Sequence, residues 1–282
     1  MAKKMVRASG PSPAAAVLGL ARTYGVPVLV SAPLALGAMY AFHRAERFAA
    51  THPLFQVSPA PAANRLPPNV QVEGAVHTTV KELRAVFAKD EGRSVFEVPL
   101  GERRQELERL QWVKQASLYR VWPNRIEVRL VERTPVAFVE LPGGANAMNR
   151  ARLIDEEGHL LPLEDSRRGS LPVLTGVSEG QRREVRAALV SKMREVLAEL
   201  GEAGRRISEV DLSDAGNVKI VYPTERRALT LILGKEDWRL RMDTFLYNFD
   251  EIREKMPNAV ELDLRDPNRI FATRMAKESD GD

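Results

Sequence analysis

Between Gln111 and Leu130 the chain reads QWVKQASLYRVWPNRIEVRL. Ala116, Leu118 and Trp122 alternate with polar residues, Pro123-Asn124 reverses the chain, and Ile126, Val128 and Leu130 alternate again. Two period-two runs joined by a Pro-Asn turn predict a β-hairpin, with Trp122 expected to pack under the turn. Working outward, Asn69–Glu73 alternates as a short strand and stops at Gly74. Thr79 and Glu82 have the spacing of a capping box ahead of Val80, Leu83 and Phe87, which share one helical face. A second short helix is expected over Glu102–Leu110, with Leu107 and Leu110 inward. The order is β-α-α-β-β in about 65 residues, a compact α+β unit.

Downstream of Pro135 the pattern is strand-rich. Ser178 and Gln181 have capping-box spacing before Val185, Leu189, Met193, Val196 and Leu200, and Gly201 should end that helix. Strands are expected at Ile207–Leu212, Val218–Tyr222 and Leu229–Leu233. A second helix carries Trp238, Met242, Phe245, Phe249 and Ile252 at 3–4 spacing, an aromatic stripe that reads as core. Ala259–Leu264 is a last long strand before the turn Asp266-Pro267-Asn268 and the segment Arg269–Arg274. This order predicts a mainly antiparallel β domain with two helices against it.

Upstream, Ala49–Pro68 holds Pro53, Pro59, Pro61, Pro67 and Pro68 among alanines and reads as a semi-rigid spacer. Before it, Gly25–Phe42 (GVPVLVSAPLALGAMYAF) contains no Asp, Glu, Lys, Arg or His. Eighteen such residues would rise about 27 Å as a helix, close to the bilayer hydrocarbon thickness. The basic flank His43-Arg44-Ala45-Glu46-Arg47 is a poor cleavage context, which favours an uncleaved transmembrane helix over a signal peptide. Lys3, Lys4, Arg7 and Arg22 precede it without an acid, so the N-terminus should be cytoplasmic and the bulk of the chain extracytoplasmic. The expected division is a cytoplasmic tail (1–24), a single transmembrane helix (25–43), a linker (44–68), the β-α-α-β-β domain (69–134), the β domain (135–274) and a disordered tail (275–282).

Charge and composition narrow the function. The 282 residues carry a net +4, but residues 1–47 hold six Lys and Arg against Glu46 alone, and residues 48–282 hold 36 basic and 37 acidic residues. A body without clustered cations does not fit a nucleic-acid partner. The Arg-Arg pairs at 103–104, 167–168, 182–183, 205–206 and 226–227 are interspersed with acids and read mostly as solvated faces. There is no cysteine, so disulfides, thiolate metal sites and cysteine nucleophiles are excluded. His43, His52, His77 and His159 show no metal-ligand spacing, and no phosphate loop, dinucleotide fingerprint or nucleophile elbow is present. Gly143-Gly144 reads as a turn, and Asp263 with Asp266 as solvated or turn-forming residues. No catalytic residues, metal, cofactor or small-molecule substrate are expected.

The β-α-α-β-β order resembles a POTRA domain, the polypeptide-transport-associated module. More specifically, Gln111–Ala116, Arg120-Val121-Trp122-Pro123 and Glu132-Arg133-Thr134-Pro135-Val136-Ala137 resemble the FtsQ/DivIB family of bacterial division proteins. Arg152–Gly158 resembles that family's "lvD..G" turn, Leu171–Gly176 its "LP.l.G" strand end, and Asp263-Leu264-Arg265 its terminal "DLR". The ordered set, from the apolar run to residue 274, carries the resemblance.

The resemblance implies a non-catalytic bitopic scaffold of the inner membrane at the division septum, which joins FtsB-like and FtsL-like partners and helps control septal peptidoglycan synthesis. In that family the FtsB-like partner adds a strand after "DLR", with the arginine as its ion-pair partner. Carried over, the partner-binding residues are Arg265, Asp266, Arg269, Ile270, Phe271 and Arg274; Asp266 stands where the family often has tyrosine and Arg274 where it can have tryptophan. The alternative for Arg265 is a pair inside the domain, with Asp263 or Glu261. Two other classes share some signals. A POTRA-bearing translocation or assembly factor would normally continue into a membrane β-barrel. An anchored extracytoplasmic enzyme would need a ligand-sized pocket with convergent polar groups.

Overall fold

In the computed structural model the described residues are 26–62, 64–142, 151–163, 171–214, 216–267 and 269–276, without the side chains of 26–30 and 32. The expected tail 1–24, the Gly143-Gly144 turn and most of 275–282 lie outside them. The chain forms two compact units. One ends at Leu107 and resumes over Gln115–Leu130; the other comprises Glu108–Lys114 and the chain from Val131.

The first unit includes helix α1 (Val26–Thr51), which has Pro33 inside it. The expected transmembrane helix is thus found as a helix, but its membrane role is overturned: among the described residues no helix is long and apolar enough to cross a membrane. Within this helix the apolar run of the sequence stops at Phe42. His43, Arg44, Glu46 and Arg47 follow within the same helix. The single-pass inner-membrane placement and the cytoplasmic N-terminus rested on that span and lose its support.

The Pro/Ala stretch is not wholly a spacer either. Phe55–Ser58 is bound to the unit: Val57 N–H donates to Arg93 O (2.8 Å), Val95 N–H to Phe55 O (2.7 Å), and Val57 is buried. Ser94 Oγ donates to Ala49 O at 2.9 Å.

The rest of this unit is the anticipated β-α-α-β-β arrangement. Strands β1 (Val70–Glu73), β2 (Val113–Val121) and β3 (Arg125–Glu132) form a sheet of order β1-β3-β2, with β1 parallel to β3 and Val70 opposite Ile126. Helix α2 (Val80–Phe87) opens on the predicted capping box: Glu82 N–H donates to Thr79 Oγ1 and Thr79 N–H to Glu82 Oε2. Leu83, Val86 and Phe87 of α2 and Leu107 of α3 (Leu100–Glu108) are buried, as are Ile126, Val128 and Leu130. Two expectations fail. Trp122 does not pack under the turn but is 77% exposed. Arg103 is no solvated residue: buried with Asp90, it donates through Nε (2.6 Å) and Nη2 (3.0 Å).

The second unit is a nine-stranded sheet of order β12-β11-β10-β9-β8-β7-β4-β5-β6. Its strands are β4 (Pro135–Glu140), β5 (Ala151–Asp155), β6 (Leu160–Pro162), β7 (Val173–Thr175), β8 (Glu209–Asp211), β9 (Val218–Pro223), β10 (Ala228–Gly234), β11 (Ala259–Asp263) and β12 (Phe271–Met275). Most pairings are antiparallel, as expected, but β4–β7, β7–β8 and β10–β11 are parallel. Helix α4 (Arg183–Glu199) lays Val190, Met193 and Val196 into the core. It starts later than the Ser178/Gln181 pattern predicts; Gln181 Oε1 accepts from Ser178 N–H, yet the N-cap is Arg182. The aromatic stripe is core, on two helices rather than one: α5 (Trp238–Tyr247) gives way at Asn248 to α6 (Phe249–Lys255).

Candidate functional site

The sheet ends at β12, which pairs antiparallel with β11 on one side, Asp263 opposite Phe271 and Ala259 opposite Met275, with the register slipping around Glu261. An edge strand carries backbone N–H and C=O groups that template a further strand. Proline, dense charge and an inward-pointing charge are the usual protections of an edge, and β12 (FATRM) offers only Arg274 among them. Phe271 and Met275 are about half exposed, whereas Ala272 and the preceding Ile270 pack on the core.

The chain reaches this strand around a turn built on Arg265. Leu264 N–H donates to Ile232 O at 3.0 Å, extending the parallel β10–β11 pairing by one residue. Beyond it Arg265 folds back on Asp263: its N–H donates to Oδ1 (3.0 Å), Nε to Oδ1 (2.9 Å) and Nη2 to Oδ2 (2.6 Å). The guanidinium holds the Asp263 carboxyl below the usual carboxylate range. Arg265 thus adopts the intradomain pairing, while its guanidinium stays half exposed and Nη1 takes no part in the pair. Its stem packs on Gly234, where an added Cβ would lie 3.1 Å from Arg265 Cγ; with φ at +72° that position suits glycine doubly.

The remaining predicted residues cluster around the same turn. Arg265, Asp266 and Ile270 line a cavity of about 150 Å³ with Asp237, Leu240 and Arg241. Arg269 and Ile270 line a second, of about 500 Å³, with Glu251, Lys255 and Met256. Phe271 and Arg274 stand apart from both, on the strand itself. Sequence reasoning missed Leu240, 62% exposed at the first cavity, and Thr273, whose hydroxyl donates to Glu261 Oε1 at 2.7 Å and ties β12 to β11. Helical periodicity alone could have flagged Leu240, which lies off the buried stripe of α5.

A second cluster was not foreseen at all. His159, which shows no metal-ligand spacing in the sequence, has a ligand atom within 4.8 Å of those of Asp155 and Glu157. Arg133 enters the group: its Nη1 lies 2.8 Å from Asp155 Oδ2, 2.8 Å from His159 Nδ1 and 3.2 Å from Glu157 Oε2. Lys114 Nζ reaches Glu157 at 2.8 Å. Asp155 Oδ1 also caps the turn, accepting from the N–H groups of Glu157 and His159. The carboxylates are therefore already matched by cations, and the arrangement is an ion-pair knot, not a vacant metal cage. Burial, then the Arg133 charge, lowers the His159 pKa and keeps the ring neutral near pH 7. The turn closes on Gly158, with φ at +79°, where a Cβ would sit 2.5 Å from Arg183 O and 2.6 Å from Ala187 N.

A three-stranded sheet with two helices, followed by a sheet that among the described residues ends at β12, defines a POTRA-bearing protein with a C-terminal β domain. Residues 68–133 match the family POTRA domain, FtsQ-type. Over 209 residues the chain is 32% identical to the cell division protein FtsQ of Koribacter versatilis, covering 72% of this chain and 58% of that one. Identity to the FtsQ of Corynebacterium glutamicum is 28% over 146 residues, 52% of this chain and 62% of the relative. To that of Syntrophotalea carbinolica it is 24% over 220 residues, 75% of each. The chain belongs to the FtsQ family. It spans about three fifths of the length of the first two relatives.

Proposed function

We propose that this chain is a non-catalytic scaffold of the bacterial division machinery, acting at the septum by binding FtsB-like and FtsL-like partners and so helping to control septal peptidoglycan synthesis. A division role is what the FtsQ relatives support. The observation that carries the binding reading is the end of the nine-stranded sheet at β12, with half-exposed Phe271 and Met275 on it. The FtsB-like segment adds as a strand there, and main-chain bonds supply affinity while side chains at the turn supply specificity. Arg265, Arg269 and Arg274 set a cationic tone that favours an acidic segment, with the Arg265 fork able to hold a partner carboxylate beside Asp263.

The test is a binding isotherm between the purified chain and an FtsB-like partner. Arg265→Glu should weaken binding by about tenfold or more, because it sets two carboxylates side by side and repels an acidic partner. The fold should survive, since the Arg265 end of the pair is half exposed and solvent screens its loss. Unchanged affinity would remove Arg265 from the site.

A further inference from the structure

On the other side of α6 from the Arg269 cavity lies a groove of about 290 Å³ that the strand-addition site does not use. Its floor is apolar, with Leu229, Leu246, Phe249, Ile252, Met256 and Leu262 among the lining residues. Around it stand Arg206, Arg226, Arg227 and Arg253, with Glu225 the sole acid. In a body whose charges nearly cancel, this is a local excess. The cations are also poorly neutralised. Among the described residues Arg226 pairs with no carboxylate; Arg206 lies over the Tyr222 ring at 4.8 Å; Arg227 donates to the Ala259 carbonyl at 3.3 Å. Arg253 alone has an acid, Asp250 at 3.2 Å, and both are half exposed or more.

We infer that this groove docks an acidic amphipathic helix of another protein. Three observations select that occupant. The four arginines ask for carboxylates. The volume lies at the small end for a whole small-molecule ligand, yet admits apolar side chains inserted from a helix face. The walls β9 and β10 are interior strands of the sheet, each already paired on both sides, so an extended peptide finds no backbone edge to join. Recognition must run through side chains, which is the helix-in-groove mode, with anchors at i, i+3 or i+4, and i+7. Leu246, 39% exposed, is apolar surface left for such an anchor to cover.

The test uses the full chain and a fluorescein-labelled synthetic helix of about 18 residues, five turns, with leucines on one face and glutamates elsewhere. Anisotropy should show saturable binding that weakens with added salt and falls by about tenfold or more in the Arg226→Glu/Arg253→Glu chain. Arg226→Gln/Arg253→Gln gives the same direction with less charge perturbation, should the first variant misfold. The Thr273→Pro chain, altered at β12, should bind the probe as wild type does, so failure of the groove and failure of the edge-strand site are read separately. Three outcomes overturn the inference. The first is equal binding of a lysine-for-glutamate probe, which would make the contact merely greasy. The second is equal binding of a proline-broken glutamate probe, which would make the occupant extended. The third is displacement by inorganic phosphate more effective than by chloride of equal ionic strength, which would make it a small-anion site.

Discussion

At Arg133 a single guanidinium meets Asp155, Glu157 and His159, and burial first, then the Arg133 charge, lowers the basicity of the histidine. A histidine whose folded-state pKa lies below its unfolded value binds more protons when unfolded, so its stabilising effect is complete above the unfolded value near 6.5 and is lost as pH falls through the folded one. Thermal unfolding followed between pH 7 and 5 should therefore show stability declining toward acid, and His159→Gln should flatten that slope; an unchanged slope would place the titration elsewhere. Glu157 and Asp263, both lowered by cation hydrogen bonds, act only at more acid pH, where protonation removes their pairs. In the first unit, Arg103→Ala leaves the buried Asp90 only the longer pair with Arg93, at 3.6 Å, and should cost about 3–5 kcal/mol in denaturant unfolding. A cost under about 1 kcal/mol would mean that Asp90 takes up a proton or finds water. Neither cluster was legible in the sequence. Asp90 lies 13 residues before Arg103, and Arg133 lies 22 before Asp155, and pairings over such separations are made by the tertiary fold rather than by any local period. The two tryptophans make the same point: alternation suggested burial for Trp122, whereas Trp112 is the buried one, among Leu153 and Leu161.

Elements were read more securely than their neighbours. The Gln111–Leu130 hairpin and the Thr79–Glu82 cap are local devices, written in turn residues and side-chain spacing, and both are present. The parallel insertion of β7 between β4 and β8 is not local: alternation tells which face of a strand is buried and nothing about which strand lies beside it. The α5–α6 break fell inside an unbroken 3–4 stripe because the core takes aromatic residues from both helices. The apolar run of α1 was legible as a helix, while the inference from its composition to a bilayer did not hold. At β12 a proline tests the edge directly. Thr273→Pro removes one backbone donor and the hydroxyl that binds Glu261. It should abolish partner binding by strand addition while the cooperative unfolding of the sheet core persists, measured by the partner isotherm alongside denaturant melting. Retained affinity would show that β12 is not the docking edge.

For the whole molecule the charge is informative mainly by its distribution. The +4 of the chain comes from its first 47 residues, and residues 48–282, with 36 basic and 37 acidic side chains, are close to neutral, so the arginines around the β12 turn and the α6 groove are local features on a balanced body. A scaffold reading requires the protein to gather where division occurs: a fluorescent fusion should concentrate at mid-cell in dividing cells, and uniform labelling would oppose it. Most direct is cell length after depletion of the protein, with wild-type, Thr273→Pro and Arg265→Glu chains added back at matched levels. Depletion should give filaments, with normal length restored by wild type, persistent filaments with Thr273→Pro and partial rescue with Arg265→Glu. Normal division after depletion, or full rescue by the Thr273→Pro chain, would contradict the scaffold reading.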